Sequence, residues 1–190
     1  FRSFLSKSVE RIVLFAILSV PVIAISWRAL FNPGSHGFYR FFSWEFIIWL
    51  FVSNYKLWFY NPFSLNQIIS WLFLLISAYL VIAGSVLMKK RGKPKKDGND
   101  TTLYKFENTS ELVDSGIFKF IRHPLYSSLL FLSWGIYFKE PSGFLLIISC
   151  LSTTSLFITA KVEEKECIKR FGARYDEYMK RSKMFIPYII

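Results

Sequence analysis

Two polar clusters in the last third of an otherwise apolar chain carry the side chains most able to do chemistry: Arg122-His123-Pro124-Leu125-Tyr126 and Glu163-Glu164. A guanidinium, an imidazole and paired carboxylates are costly to hold against bilayer-spanning segments, so they mark a ligand site more readily than a passive surface. Pro124 suits the first position of a helix, where its missing N–H costs nothing, and His123 then stands at the cap. The unpaired amides of such a helix start favour a bound anion, a carboxylate included, and Tyr126 offers an aromatic face or a hydroxyl one turn further in. The plainer reading is an interfacial anchor, with Arg122 on lipid phosphate and Tyr126 in the aromatic belt. Glu163 and Glu164 differ by about 100° around a helix, so only one of them faces a cleft. Glu164 continues the line of Ile168, Phe171 and Tyr175, whereas Glu163 shares a face with Cys167, Arg170 and Arg174. A carboxylate at that position can bind an ammonium or ribose hydroxyls; its plainer role is an acidic residue at a solvated helix start.

The elements that must position these groups are helical and membrane-spanning. The 190 residues are 53% hydrophobic and 19% aromatic, too apolar for a small soluble domain. Spans of roughly 17 to 25 apolar residues cross a bilayer as helices. Five segments qualify as crossings: Val9 to Phe31, Phe41 to Tyr60, Leu65 to Met88, Leu125 to Phe138, and Gly143 to about Ala160. The fourth is short unless the residues before it join. The expected fold is therefore an all-α integral membrane protein, a single membrane domain over 1–190. Residues 1–88 give three helices; residues 89–190 give a cytoplasmic loop, a helical hairpin and a C-terminal helix that together form the site. The first segment follows Arg2, Lys7 and Arg11 as a signal peptide would, but no small-x-small cleavage site precedes Trp27, so a retained helix is expected.

The formal charge of +11 would suggest nucleic acid in a soluble protein. Here the basic residues gather at Lys89, Lys90, Arg91, Lys93, Lys95, Lys96, Lys105, Lys119, Arg122 and the tail, leaving Arg2, Lys7, Arg11 and Lys139 on the other side. By the positive-inside rule the N-terminus lies outside and the C-terminus in the cytoplasm. Contact with inner-leaflet lipids then accounts for the charge, and no nucleic acid is expected as a partner. Residues Lys89 to Asp100 read as an exposed loop. From Thr101 to Phe120, Leu103, Tyr104, Phe106, Leu112, Val113, Ile117, Phe118 and Phe120 let the chain fold back over a cleft, with a turn at Gly116. Beyond Glu163, Ile168, Phe171, Tyr175 and Tyr178 recur at helical spacing, Gly172 marks a bend and Pro187 ends regular structure. Glu45 and Lys56, about 16 Å apart along a helix, cannot pair with each other. Gly84 and Ser85 permit close helix contact. Cys150 and Cys167 form neither a disulfide framework nor a zinc spacing, and without clustered ligands no metal dependence is expected.

From Ser110 to Pro187 the chain resembles the isoprenylcysteine carboxyl methyltransferase family of membrane enzymes, in particular its short prokaryotic members. The resemblance rests on Leu112-Val113, Ser115-Gly116, Phe118, Arg122-His123-Pro124, Tyr126, Glu163-Glu164, Phe171-Gly172, Tyr175, Tyr178 and Ile186-Pro187 in that order. It implies a transferase dependent on S-adenosylmethionine, with S-adenosylhomocysteine as product and the cofactor on the cytoplasmic side. There is no GxGxxG, so a soluble Rossmann domain is not the platform. By match to the family's motif, Ser110, Glu111, Leu112, Val113 and Phe118 contact the cofactor, with His123, Pro124, Leu125 and Tyr126 as a second wall and Glu163 as a third contact. Phe118 stands where the family commonly has Tyr. The family's substrate-orienting Arg aligns with Thr159, which leaves Lys161 or Arg170 to supply that charge, and Leu87-Met88 replaces a Leu-Arg pair.

The acceptor the resemblance implies is a prenylcysteine-like carboxylate, lipidic and entering sideways from the bilayer. Such a nucleophile is already ionised at neutral pH and needs no general base; alignment and exclusion of water suffice. A phospholipid or other lipid N-methyltransferase is the nearest alternative. A sterol-type reductase using NADPH also carries an RHP-type motif, although there Asn usually stands in the place of Leu125. A non-catalytic membrane scaffold would bind neither cofactor.

Overall fold

The computed structural model describes residues 2–92 and 111–189, residues 2–7 as backbone only. Among these residues six α-helices follow one another: α1 (Arg2–Leu30), α2 (His36–Asn54), α3 (Leu65–Arg91), α4 (Pro124–Tyr137), α5 (Gly143–Phe171) and α6 (Ala173–Arg181), with short 3-10 turns at Tyr55–Leu57 and Gly116–Lys119. Among the described residues the only β pairing is an isolated parallel bridge between Ile121 and Lys183. Three helical stretches, Ser8–Leu30, Leu65–Arg91 and Gly143–Phe171, are long and apolar enough to cross a membrane. They match the first, third and fifth of the expected crossings. The 19 residues of α2 and the 14 of α4 do not meet the same test. At about 1.5 Å per residue α4 extends roughly 21 Å, less than a hydrocarbon core of about 30 Å.

The residues before α4 do not lengthen it. Pro124 occupies its first turn, and residues 120–123 are drawn into extended pairing with the C-terminal segment. Lys183 N–H donates to Phe120 O at 2.9 Å, Arg122 N–H to Lys183 O at 2.7 Å and His123 N–H to Met184 O at 3.2 Å. In contrast α5 overruns the expected end at Ala160 and continues to Phe171. No breaker interrupts it until Gly172, whose φ of 59° starts the separate α6. The glutamates therefore sit within a long continuous helix rather than at the start of a new one.

Helix α3 packs against α4, α4 against both α2 and α5, and α1 against α2. The core holds Leu50, Tyr126, Leu129, Ile136, Leu156, Ala160, Met184 and Phe185. Val13, Ile17 and Ile25 on α1, Leu72, Leu75 and Ile82 on α3, and Ile147 and Leu151 on α5 are exposed. A water-soluble protein would not leave such stripes bare on its longest helices, and lipid is their natural solvent. Between helices, small polar side chains bond to carbonyls: Ser70 Oγ to Gly135 O at 2.6 Å, Ser77 Oγ to Ser128 O at 2.7 Å and Asn54 Nδ2 to Ile136 O at 2.9 Å. Gly84 brings α3 against the start of α4; a Cβ there would lie 3.2 Å from Leu125 and 3.3 Å from Pro124. Glu45 accepts a hydrogen bond from Ser19 at 2.7 Å, and Lys56 pairs with Glu10 at 2.7 Å, so each charge on that stretch has a partner on α1.

Candidate functional site

Where α3 ends, α4 begins and α5 gives way to α6, the Gly116 turn closes over a chamber of about 660 Å³, open to solvent at its mouth. Gly116 has φ +61° and sits so close to Leu87 that a Cβ would approach its Cδ2 to 2.7 Å. The left-handed backbone favours glycine, and any side chain there would also have to displace the tip of Leu87. The turn lays Leu112, Val113 and Phe118 along one wall; Arg170, Phe171, Tyr175 and Tyr178 form another. Tyr178 O–H pins the turn by donating to Phe118 O at 2.7 Å. Burial pushes the Tyr175 and Tyr178 hydroxyls up from the ordinary phenol range, so both stay neutral.

A second compartment of about 310 Å³ adjoins the first and is lined by Pro124, Leu125 and Tyr126 at the start of α4. The two share Met88, Phe118, Arg122, His123 and Glu163. Apolar surface predominates in both; the first adds Glu166 and Arg170, the second Pro124, Leu125 and Tyr126, and the shared Arg122, His123 and Glu163 form an ionic wall.

That wall is a network with distinct parts. Arg122 Nε and Nη2 both donate to Glu164 Oε1, at 2.9 and 2.8 Å, and both side chains are buried. Arg122 Nη1 donates to the carbonyls of Met179, at 3.2 Å, and Ser182. His123 sits between the carboxylates, Nδ1 3.2 Å from Glu163 Oε2 and Nε2 3.6 Å from Glu164 Oε1, and stacks on Tyr126 with ring centroids 5.5 Å apart. Burial opposes charge on its imidazole, but hydrogen bonds to and the fields of Glu163 and Glu164 outweigh it, so the pKa is raised above 6.5. Behind the wall, the fully buried His36 at the start of α2 holds Glu166: its Nδ1 lies 2.7 Å from Oε2 and its backbone N–H donates to Oε1 at 3.2 Å. Its Nε2 has no hydrogen-bond partner among the described residues.

The sequence-derived residues divide accordingly. Leu112, Val113, Phe118, His123 and Glu163 line the chamber, and Pro124, Leu125 and Tyr126 join the last three in the second compartment. Glu111 lies to one side, in a groove with Lys90, Arg91 and Asp114. Ser110, with Leu103, Tyr104 and Phe106, falls outside the described residues. Arg170 lines the chamber, whereas Lys161 lies away from it and pairs with Glu164 Oε2 at 3.1 Å. Arg122, expected at lipid phosphate if the motif is an anchor, turns inward instead. Thr159 is buried and donates to Ser155 O at 2.7 Å. Sequence reading put Cys167 on the face of Glu163 and noted Met88 without giving either a place in the site, and it missed Glu166 and His36 as site residues. Glu166 lies three residues beyond Glu163 and was open to discovery from helix phase; His36, some 130 positions away, carried no local signal. Among the described residues no group of three or more His, Cys, Asp or Glu is placed to hold a metal ion.

Comparison with known proteins bears on this arrangement. A model of the family described as phospholipid methyltransferase matches residues 73–174, more than half of the chain. Among curated relatives, methanethiol S-methyltransferase of Crocosphaera subtropica is 23% identical over 131 residues, covering 69% of this chain and 47% of that protein. Methanethiol S-methyltransferase 1 of Bradyrhizobium diazoefficiens is 29% identical over 72 residues, 38% of this chain and 25% of that protein. The protein of that function from Pseudomonas deceptionensis is 31% identical over 71 residues, 37% of this chain and 26% of that protein. The chain thus spans half or less of the length of the curated relatives it matches. No solved structure matches the chain.

Proposed function

The chain belongs to the phospholipid methyltransferase family, and from that premise we propose that it transfers a methyl group from S-adenosylmethionine to an apolar acceptor arriving from the bilayer. The observation that carries this reading is the pair of adjoining compartments that share Phe118, Arg122, His123 and Glu163, the first adding the charged groups of Glu166 and Arg170 and the second adding Pro124, Leu125 and Tyr126. The bound cofactor would supply a methyl group on a sulfonium, open to in-line attack by a nucleophile. The residues of the chamber suit that cofactor: Glu163 and Glu166 offer carboxylates to an ammonium, Arg170 a guanidinium to a carboxylate, and Phe118 and Phe171 apolar faces to a base. Met88, Leu125 and Tyr126 give the acceptor's compartment its apolar lining.

The acceptor we favour carries a carboxylate, as a prenylcysteine-like lipid does. His123 lies between two carboxylates that raise its pKa above 6.5 and engage its ring nitrogens, which leaves it poorly placed to take a proton from an acceptor. A nucleophile ionised in advance needs no base, whereas a phospholipid amine must first lose a proton. Arg170, on the chamber wall, is the better placed of the two cations to orient such a group, because Lys161 is engaged with Glu164 away from it. A thiol acceptor is the second reading, favoured by the methanethiol S-methyltransferases among the relatives. In the membrane, α2 and α4 would add two crossings to the three clear ones, with the N-terminus outside and the chamber facing the cytoplasm.

Purified protein supplied with methyl-labelled S-adenosylmethionine and, separately, a prenylcysteine analogue, a short alkyl thiol and phosphatidylethanolamine distinguishes these acceptors. A base-labile labelled ester is the expected product; labelled thioether instead would establish the second reading. No transfer to any of the three by folded protein that binds S-adenosylhomocysteine would remove all three acceptors. Tight NADPH binding without affinity for S-adenosylhomocysteine would overturn the cofactor assignment itself.

A further inference from the structure

Glu164 faces two ways: Oε1 takes Arg122 and His123, while Oε2 takes Lys161 in a separate groove between α5 and the C-terminal segment. That groove is lined by Arg122, Lys161, Lys180 and Lys183 together with Phe157, Met179, Met184 and Ile189, and by no acidic side chain. Arg122 and Lys161 share the single charge of Glu164, so with Lys180 and Lys183 the groove keeps a positive excess. Another groove, with Lys90 and Arg91, also holds Glu111 and Asp114. The basic groove is also greasy. Phe157 is 40% exposed on α5, one turn before Lys161, and Ile189 is 73% exposed on the C-terminal segment. Lys161 Nζ lies 5.7 Å from the Phe157 ring centroid.

Cations gathered over bare apolar side chains, where a spanning helix leaves the bilayer, complement a phosphate with a hydrocarbon chain below it. We propose that this groove binds one anionic phospholipid, its phosphate among Lys161, Lys180 and Lys183 and an acyl chain along the Phe157 face of α5. The site is separate from the acceptor's compartment and does not depend on which acceptor is methylated. A lipid rather than free phosphate is the ligand, because Phe157 and Ile189 contribute nothing to a soluble anion. Lipid bound there would lie against the Arg122–Glu164 pair that holds the C-terminal segment in place.

The test is native mass spectrometry of the full-length protein released from phosphatidylcholine nanodiscs containing phosphatidylglycerol, with titration of phosphatidylglycerol to quantify retention. Wild type should keep one phosphatidylglycerol per chain. Lys180→Gln/Lys183→Gln should weaken retention roughly thirtyfold, from about a fivefold loss per lysine, and Lys89→Gln/Lys90→Gln should leave it unchanged. Equal loss in both double variants would reduce the effect to general surface attraction and overturn the site, as would displacement of the lipid by inorganic phosphate. Should Lys180→Gln/Lys183→Gln melt early, Phe157→Ser serves instead: weaker retention is expected, and unaltered retention refutes the groove.

Discussion

Glu163→Gln and Glu164→Gln, one residue apart, should fail in different ways. Glu163 faces both compartments, with its side chain 22% exposed and 3.2 Å from His123. Glutamine keeps an acceptor for the imidazole but withdraws the charge offered to the cofactor's ammonium. Losing a charge-assisted hydrogen bond costs about 1.5–3 kcal/mol, and about 1.4 kcal/mol is tenfold in affinity. S-adenosylhomocysteine, which keeps that ammonium, should bind roughly 10- to 150-fold more weakly, with a smaller fall in the unfolding midpoint than Glu164→Gln causes. Glu164→Gln instead leaves the Arg122 guanidinium buried without its carboxylate. Breaking one side of a buried pair costs about 3–5 kcal/mol, roughly 10 °C in midpoint for a chain of this size. Calorimetry with S-adenosylhomocysteine and thermal unfolding in the same detergent separate the two quantities. Unweakened binding by Glu163→Gln, or matching losses of stability in the two variants, would refute the division of labour.

Two further outcomes concern pH. Because the folded pKa of His123 is raised above 6.5 by its carboxylates, its stabilising charge is fully present below 6.5 and is lost as pH rises through the higher folded value; His123→Asn should flatten that part of the curve of unfolding midpoint against pH, and an unchanged slope would contradict the assignment. Lys139, between α4 and α5, works in the opposite sense: burial pushes its ammonium down to about 8 from 10.5, so the unfolded chain holds the proton more tightly and stability should rise between those values. It lies 3.7 Å from the Trp71 ring centroid and donates to Gln67 Oε1 at 2.9 Å; Lys139→Met should remove the rise, and a persisting rise would show that another group causes it.

The apolar periodicity made the long helices legible, because lipid-facing stripes on α1, α3 and α5 are local properties of the sequence. The start of α4 at Pro124 was equally legible, since proline chemistry acts within one turn. Phase around a helix separated Glu163 from Glu164, and the structure places the former on the compartments and the latter in the Arg122 pair. What escaped was long-range. The end of α5 was set too early because the charged residues after Ala160 resemble a solvated start, yet they are absorbed by Arg122, His123 and His36 from other parts of the chain. Arg122 as an anchor and Arg122 as a buried partner have the same local sequence; only the tail's return, some 60 residues later, decides between them.

That return explains how a site can be enclosed at a membrane end without a soluble domain. Lys183 and Met184 accept the backbone N–H groups of Arg122 and His123, Ser127 Oγ donates to Phe185 O at 2.8 Å, and Arg122 reaches the carbonyls of Met179 and Ser182. These contacts fix the segment before α4 and the segment after α6 to each other, and α6 brings Tyr175 and Tyr178 to the chamber wall. Closure of so long a loop costs entropy that grows only slowly with length, so a handful of buried bonds suffices. Arg122 is thus tied at once to α5 and to the tail, and its loss should open the chamber even though the carboxylate that lines it, Glu163, would be untouched.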